Sequence, residues 1–142
     1  AKSQKDEYGS VQEKRSYRYS VTSNVLSILI ESIEPEADGY KFYNVYNFDI
    51  NTGKLLKNIE VMGKDNADTL MKNLKDIYTE EFDDIYGTKG AYDKLYEEQL
   101  ELIPTDLEDI PYFIDSEEGP QIVIKIISQA GPAYHYHIVS VK

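Results

Sequence analysis

Cysteine is absent from the chain, which excludes a disulfide framework, a thiol nucleophile and thiolate metal sites. Tryptophan is absent too, and phenylalanine is scarce, with four residues against thirteen tyrosines. No long apolar run occurs. The longest, around Val25–Ile30, falls far short of the ~20 residues of a membrane-spanning helix. The first residues, Ala1 to Glu7, are polar and lack the apolar segment of a signal peptide. An exported protein would therefore be in a mature or trimmed form here. Catalytic signatures are missing as well: there is no Gly-x-Ser-x-Gly elbow, no phosphate-cradling glycine loop and no His-Glu-x-x-His helix. The expectation is a non-catalytic protein that needs no cofactor.

What is present bounds the fold class. A chain of 142 residues fits one domain, and a globule of that length buries about 70% of its unfolded surface. The formal net charge is −11, from 26 acids against 15 bases. Nucleic-acid phosphates would be repelled, so no nucleic-acid partner is expected. The same charge would steer a cationic partner inward at low salt, although solubility alone is the plainer explanation. Tyrosine joins an apolar ring to a polar tip, which suits half-buried strands first and contact surfaces second.

Residues 1–13 are polar and aperiodic and read as a flexible leader or linker; residues 14–142 read as a single domain. Tyr17, Tyr19 and Val21 alternate with Arg18 and Ser20, as on a half-buried strand. Leu26, Ile28 and Ile30 share one face of a second strand, with Val25 and Leu29 on the other, which predicts a central position. Tyr40, Phe42, Tyr46, Phe48 and Ile50 share a face of a third strand, interrupted by Asn44. Gly53 supplies the positive φ of a short hairpin turn, and Leu55–Met62 is expected to be the return strand. Period then changes: Leu70, Leu74, Ile77, Tyr78, Phe82 and Ile85 mark one helical face, with Asp65 as the expected N-cap and Gly87 as the stop. A second helix from about Thr88 would turn Tyr92, Leu95, Tyr96 and Leu100 inward. Strands return at Tyr112–Ile114, Gln121–Ile127 and Ala133–Val141. The expected fold is α+β: an antiparallel sheet of about five to seven strands, a meander plus a C-terminal hairpin, packed against two helices.

Two groups of residues merit weighing as sites. His135 and His137 lie two apart on a strand and project to one face, a spacing that zinc sites use. The sequence marks no third ligand, so ordinary surface histidines are the simpler reading and no metal is expected. Glu80, Glu81, Asp83 and Asp84 form an acidic run without the glycine turn of a calcium loop. At a helix C-terminus such charge is locally unfavourable, which suits attraction of a basic partner, against the plainer reading of a solvated helix face.

The run Asn24-Val25-Leu26-Ser27-Ile28, the acidic loop with Gly39, and Tyr46-Asn47-Phe48-Asp49-Ile50-Asn51-Thr52-Gly53-Lys54 together resemble the family called domain of unknown function 3298. That family carries "N-x-L-S" before Ile or Leu and then "Y-x-F-D-x-x-T-G-K". A helix over Asn66–Glu80, and Ala130-Gly131-Pro132 before the last strand, are similar to it as well. The likeness runs from Ser16 to Val141. It departs at Glu36-Ala37-Asp38-Gly39-Tyr40, where members often have "G-G-A-H". The resemblance implies a non-catalytic, extracytoplasmic sensor or binding module of a Gram-positive cell-envelope protein, anchored, if at all, through a segment outside residues 1–142. Its partner would be a cationic protein such as a lysozyme, or a cell-wall polymer. The alternative is an accessory or structural domain of a larger cell-wall polysaccharide deacetylase or hydrolase. The contact residues expected on this reading are Glu34, Glu36, Asp38 and Tyr40 in the loop, with Glu80, Glu81, Asp83 and Asp84.

Overall fold

The structure is a computed structural model and describes residues 14–35, 39–87 and 93–141. Strands β1 (Lys14–Thr22), β2 (Val25–Glu34) and β3 (Tyr40–Asp49) form an antiparallel meander with β2 in the centre. The turn after β3 forms as its residues require. Gly53 has φ +75°, its N–H donates to the Asp49 carbonyl at 2.7 Å, and Asp49 Oδ1 accepts from the Asn51 and Thr52 amides.

The expected return strand over Leu55–Met62 does not form. One bridge, Phe48 to Leu55, begins it, and then Asn58–Met62 turns into a short helix, α1. The reason is tertiary. Glu108 accepts from the exposed amides of Asn58 at 2.7 Å and Ile59 at 3.1 Å, a carboxylate at a helix N-terminus. The Asn58 side chain meanwhile donates through Nδ2 to the carbonyls of Leu107 and Ile110.

Helix α2 (Lys64–Tyr86) follows, with Gly63 at the N-cap and Asp65 inside the first turn rather than capping it. Helix α3 (Asp93–Leu100) comes next; its expected beginning at Thr88 and Tyr92 lies outside the described residues. A 3-10 turn at Leu107–Asp109 leads to β4 (Tyr112–Asp115), β5 (Gly119–Ile127) and β6 (Tyr134–Ser140). The six strands make two three-stranded antiparallel sheets, not one, because the ladders β1-β2-β3 and β4-β5-β6 do not join edge to edge.

The layers follow from which faces are apolar. Leu70, Leu74, Ile77 and Tyr78 of α2 bury themselves with Ile122, Ile124 and Ile126 of β5, each fully buried side chain contributing about 1.5–3 kcal/mol. The other face of this sheet stacks on β1–β3, giving the order helices, sheet, sheet.

That stacking inverts the simplest expectation from the alternating strands. The face of β1–β3 turned inward is its more polar one: Ser20, Ser27 and Asn47 are buried there beside Leu29. All three side chains hydrogen-bond across the junction. Ser27 Oγ accepts from the Ile114 amide, Ser20 Oγ from the Ser116 amide, and Asn47 Nδ2 donates to the Tyr112 carbonyl. Arg18 lies over the Phe113 ring and donates to Gln121. The alternating apolar set of Tyr17, Tyr19, Val21 and Tyr46 therefore faces out, at 72%, 65%, 50% and 41% exposure. Register decides this, because side chains alternate faces with a period of two.

Candidate functional site

The C-terminal strand reads Tyr134-His135-Tyr136-His137, and strand geometry sends the histidines to the helix side and the tyrosines to the β3 side. Tyr40, the first residue of β3, meets both sets at the strand's edge. Its ring centroid lies 5.7 Å from His135 and 6.2 Å from Tyr136, and its hydroxyl donates to the Tyr134 carbonyl at 3.0 Å. Tyr134 and Tyr136 stand edge to face at 5.3 Å. Tyr40, His135, Tyr136 and His137, with Gly39, Lys41 and the loop Ala130–Pro132, line an open cleft of about 540 Å³, within the size range of small-ligand sites.

On the helix side, His137 Nδ1 lies 2.8 Å from Glu81 Oε2 of α2. An ionised carboxylate can only accept, so the ring proton belongs on Nδ1. Glu80, Glu81 and Asp84 line an adjoining groove of about 270 Å³ with Ile77 and Ile138–Ser140. Residues 1–75 hold eleven acids and eleven bases, whereas residues 76–142 hold fifteen acids and four bases. The whole net charge thus lies in the half that forms the end of α2, α3 and the second sheet.

Of the residues expected from the sequence, Tyr40, Glu81, His135 and His137 come together around this cleft, with Glu80 and Asp84 on its acidic flank. Glu34 sits at the end of β2, exposed, its carbonyl accepting from the Gly39 amide at 3.1 Å. Asp83 belongs to the same helix but does not line the groove. Glu36 and Asp38 lie outside the described residues. Among the described residues no group of three or more His, Asp or Glu side chains is placed to hold a metal; His135 faces Tyr40 rather than Glu81. Lys41, Tyr134 and Tyr136 were missed. The signal for the two tyrosines was the Tyr-His-Tyr-His alternation itself, which puts aromatics on both faces of one strand; no such signal marks Lys41.

A second cleft, of about 630 Å³, opens on the far side of Tyr136 and is lined by Tyr43, Tyr78, Lys125, Glu101 and Asp109 among others. Burial pushes Tyr78 from an ordinary 10.0 to about 12. Burial, then the Glu31 carboxylate, does the same to Tyr43. Tyr136 is raised by burial first and by Tyr134 second, and Tyr40 by burial, Tyr134 and Glu34. These phenols stay protonated donors at neutral pH, able to stack and to hydrogen-bond at once.

The same shifts carry a pH prediction. A tyrosine harder to ionise when folded favours the unfolded chain once the unfolded tyrosines lose their protons. The tyrosines' contribution to stability is therefore expected to be full below pH 10 and to be lost between pH 10 and about 12, where Tyr43 and Tyr78 titrate. Denaturant midpoints across that window measure it, and a flat midpoint would contradict it.

No family profile and no curated protein matches the chain. Among the described residues no helix is long and apolar enough to cross a membrane.

Proposed function

We propose that this chain is a non-catalytic, extracytoplasmic binding module of a bacterial cell-envelope protein, as its resemblance to domain of unknown function 3298 implies, and that its partner is a cationic protein of the lysozyme kind. The observation that carries the reading is the meeting of the Tyr40–His135–Tyr136 cleft with the acidic flank of Glu80, Glu81 and Asp84. Aromatic rings supply contact area and cation–π faces for lysine and arginine, while the segregated negative charge accelerates encounter and makes it salt-dependent.

Calorimetric titration with lysozyme at low and at moderate salt tests this. Binding is expected at low salt and should weaken as salt rises. The double variant Glu80→Lys with Asp84→Lys should slow association at least about tenfold at low salt, while leaving the fold intact because both side chains are exposed. Absence of binding at low salt, or an association rate indifferent to the reversal, sinks the reading.

The tyrosine cluster favours a second reading, in which the cleft holds a cell-wall glycan and the chain serves as an accessory domain of a polysaccharide deacetylase or hydrolase. Tyr40→Ala would then abolish retention on insoluble peptidoglycan, and the charge reversal would leave that retention unchanged.

A further inference from the structure

The outward face of β1–β3 has an unusual composition, and no element among the described residues packs on it. Eight large apolar side chains stand out as exposed among the described residues, and six of them fall on this one face: Tyr17, Tyr19, Val21, Tyr46, Ile50 and Leu55. Register shows that they are neighbours. Tyr19 pairs with Ile28 and Ile28 with Tyr46; Val21 pairs with Leu26, Leu26 with Phe48, and Phe48 with Leu55. The aliphatic column of β2 thus forms a trough between a tyrosine ridge on β1 and an aromatic ridge on β3. From Tyr17 across to Ile50 this face carries no charged side chain. A solvated antiparallel sheet ordinarily turns its polar alternates outward; here they are spent on the junction with the second sheet.

We infer that this face is where two copies of the chain associate, sheet against sheet. Three observations select a second copy as the occupant. First is area. The three tyrosines alone leave on the order of 350 Å² exposed, and the aliphatic residues and half-buried ring edges bring the face to roughly 700 Å². That exceeds the largest apolar patch of a typical monomer and approaches the ~800 Å² per partner of a stable interface. Second is charge. The acids of α2 and α3 stand behind both sheets, roughly 20 Å from the face, beyond two Debye lengths of about 8 Å at physiological salt. The share of the charge that α2 and α3 carry, ten acids against four lysines, therefore does not oppose pairing through this surface, and between Tyr17 and Ile50 the face offers no charge to select a charged partner. Third is relief. A ridge–trough–ridge surface shifted by one column fits its own copy, each tyrosine ridge lying over the other's aliphatic trough. Aligned packing of two such sheets resembles the interior of a β-sandwich.

Sedimentation equilibrium of the full chain tests the inference. The expected mass is twice 16.3 kDa at concentrations on the order of 100 µM, with a dissociation constant in the micromolar range. Tyr19→Asp should weaken association at least about tenfold. Tyr19→Thr, which keeps a good strand former, should weaken it in the same direction, so that a loss cannot be laid to misfolding. Ile85→Asp, also exposed but on α2, should leave the dimer unchanged. Added salt should leave association constant or strengthen it, opposite to the effect on a cationic partner. A chain that stays monomeric at millimolar concentration overturns the inference, including a monomer whose face takes up an apolar dye or another protein. So does a dimer indifferent to both Tyr19 variants.

Discussion

Replacement of Gln99 by leucine is expected to destabilise the protein by about 2–5 kcal/mol. Gln99 is wholly buried, and its amide bridges two main-chain groups of β5: Nε2 donates to the Lys125 carbonyl at 2.8 Å and Oε1 accepts from the Ile127 amide at 2.7 Å. Strand β4 pairs with β5 only as far as Ile122, so beyond it no strand among the described residues pairs with that edge of β5. The side-chain amide of α3 takes the place of one. Leucine matches glutamine in bulk but can neither donate nor accept, leaving both part-buried groups unpaired at roughly 1–3 kcal/mol each. Denaturant unfolding measures the change. A loss below about 1 kcal/mol would mean that water reaches the edge and that the bridge is dispensable.

Phe113→Ala is the second large effect, a loss of about 3–5 kcal/mol. The ring is 1% exposed and lies between the two sheets, with the Arg18 guanidinium 5.0 Å above its centre. Truncation opens a cavity where the surrounding groups have little freedom to collapse. Ser20, Ser27 and Asn47 are committed to main-chain partners on β4 and in the turn after it, and Arg18 to Gln121. The Arg18 guanidinium would also lose its aromatic face, worth about 0.5–2 kcal/mol. Arg18→Met with Phe113 retained should cost far less, since the methionine stem still covers the ring. Equal losses from the two substitutions would show that the arginine, not the ring, holds the sheets together.

Neither position announced itself in the sequence. Gln99 sits in a helix whose visible apolar residues are Leu95, Tyr96 and Leu100, all of them only half-buried in the fold, while a polar residue took the deepest place. Nothing local to Gln99 says that a strand edge nearby lacks a partner. Leu55–Met62 misled for a related reason: its pattern suits a strand, but Glu108, some fifty residues on, supplies the carboxylate that starts a helix there. For the candidate site, Tyr40, Glu81, His135 and His137 could each be picked out by type. Their convergence required β6, β3 and α2 to meet, and that depends on topology rather than on spacing.

The sequence by itself determined the local elements. Period-two runs made β1, β2 and β3, Asp49 and Gly53 made the turn after them, and the three-to-four spacing from Leu70 to Phe82 made α2. Its count of acids and bases likewise set where the negative charge would lie. Only the tertiary structure decided which face of the first sheet is buried. Alternation says that two faces differ, not which one meets the core. Four hydrogen-bonding residues, Arg18, Ser20, Ser27 and Asn47, satisfied the second sheet's free groups. Because an unpaired buried amide or carbonyl costs more than an exposed tyrosine, the tyrosines were left outside.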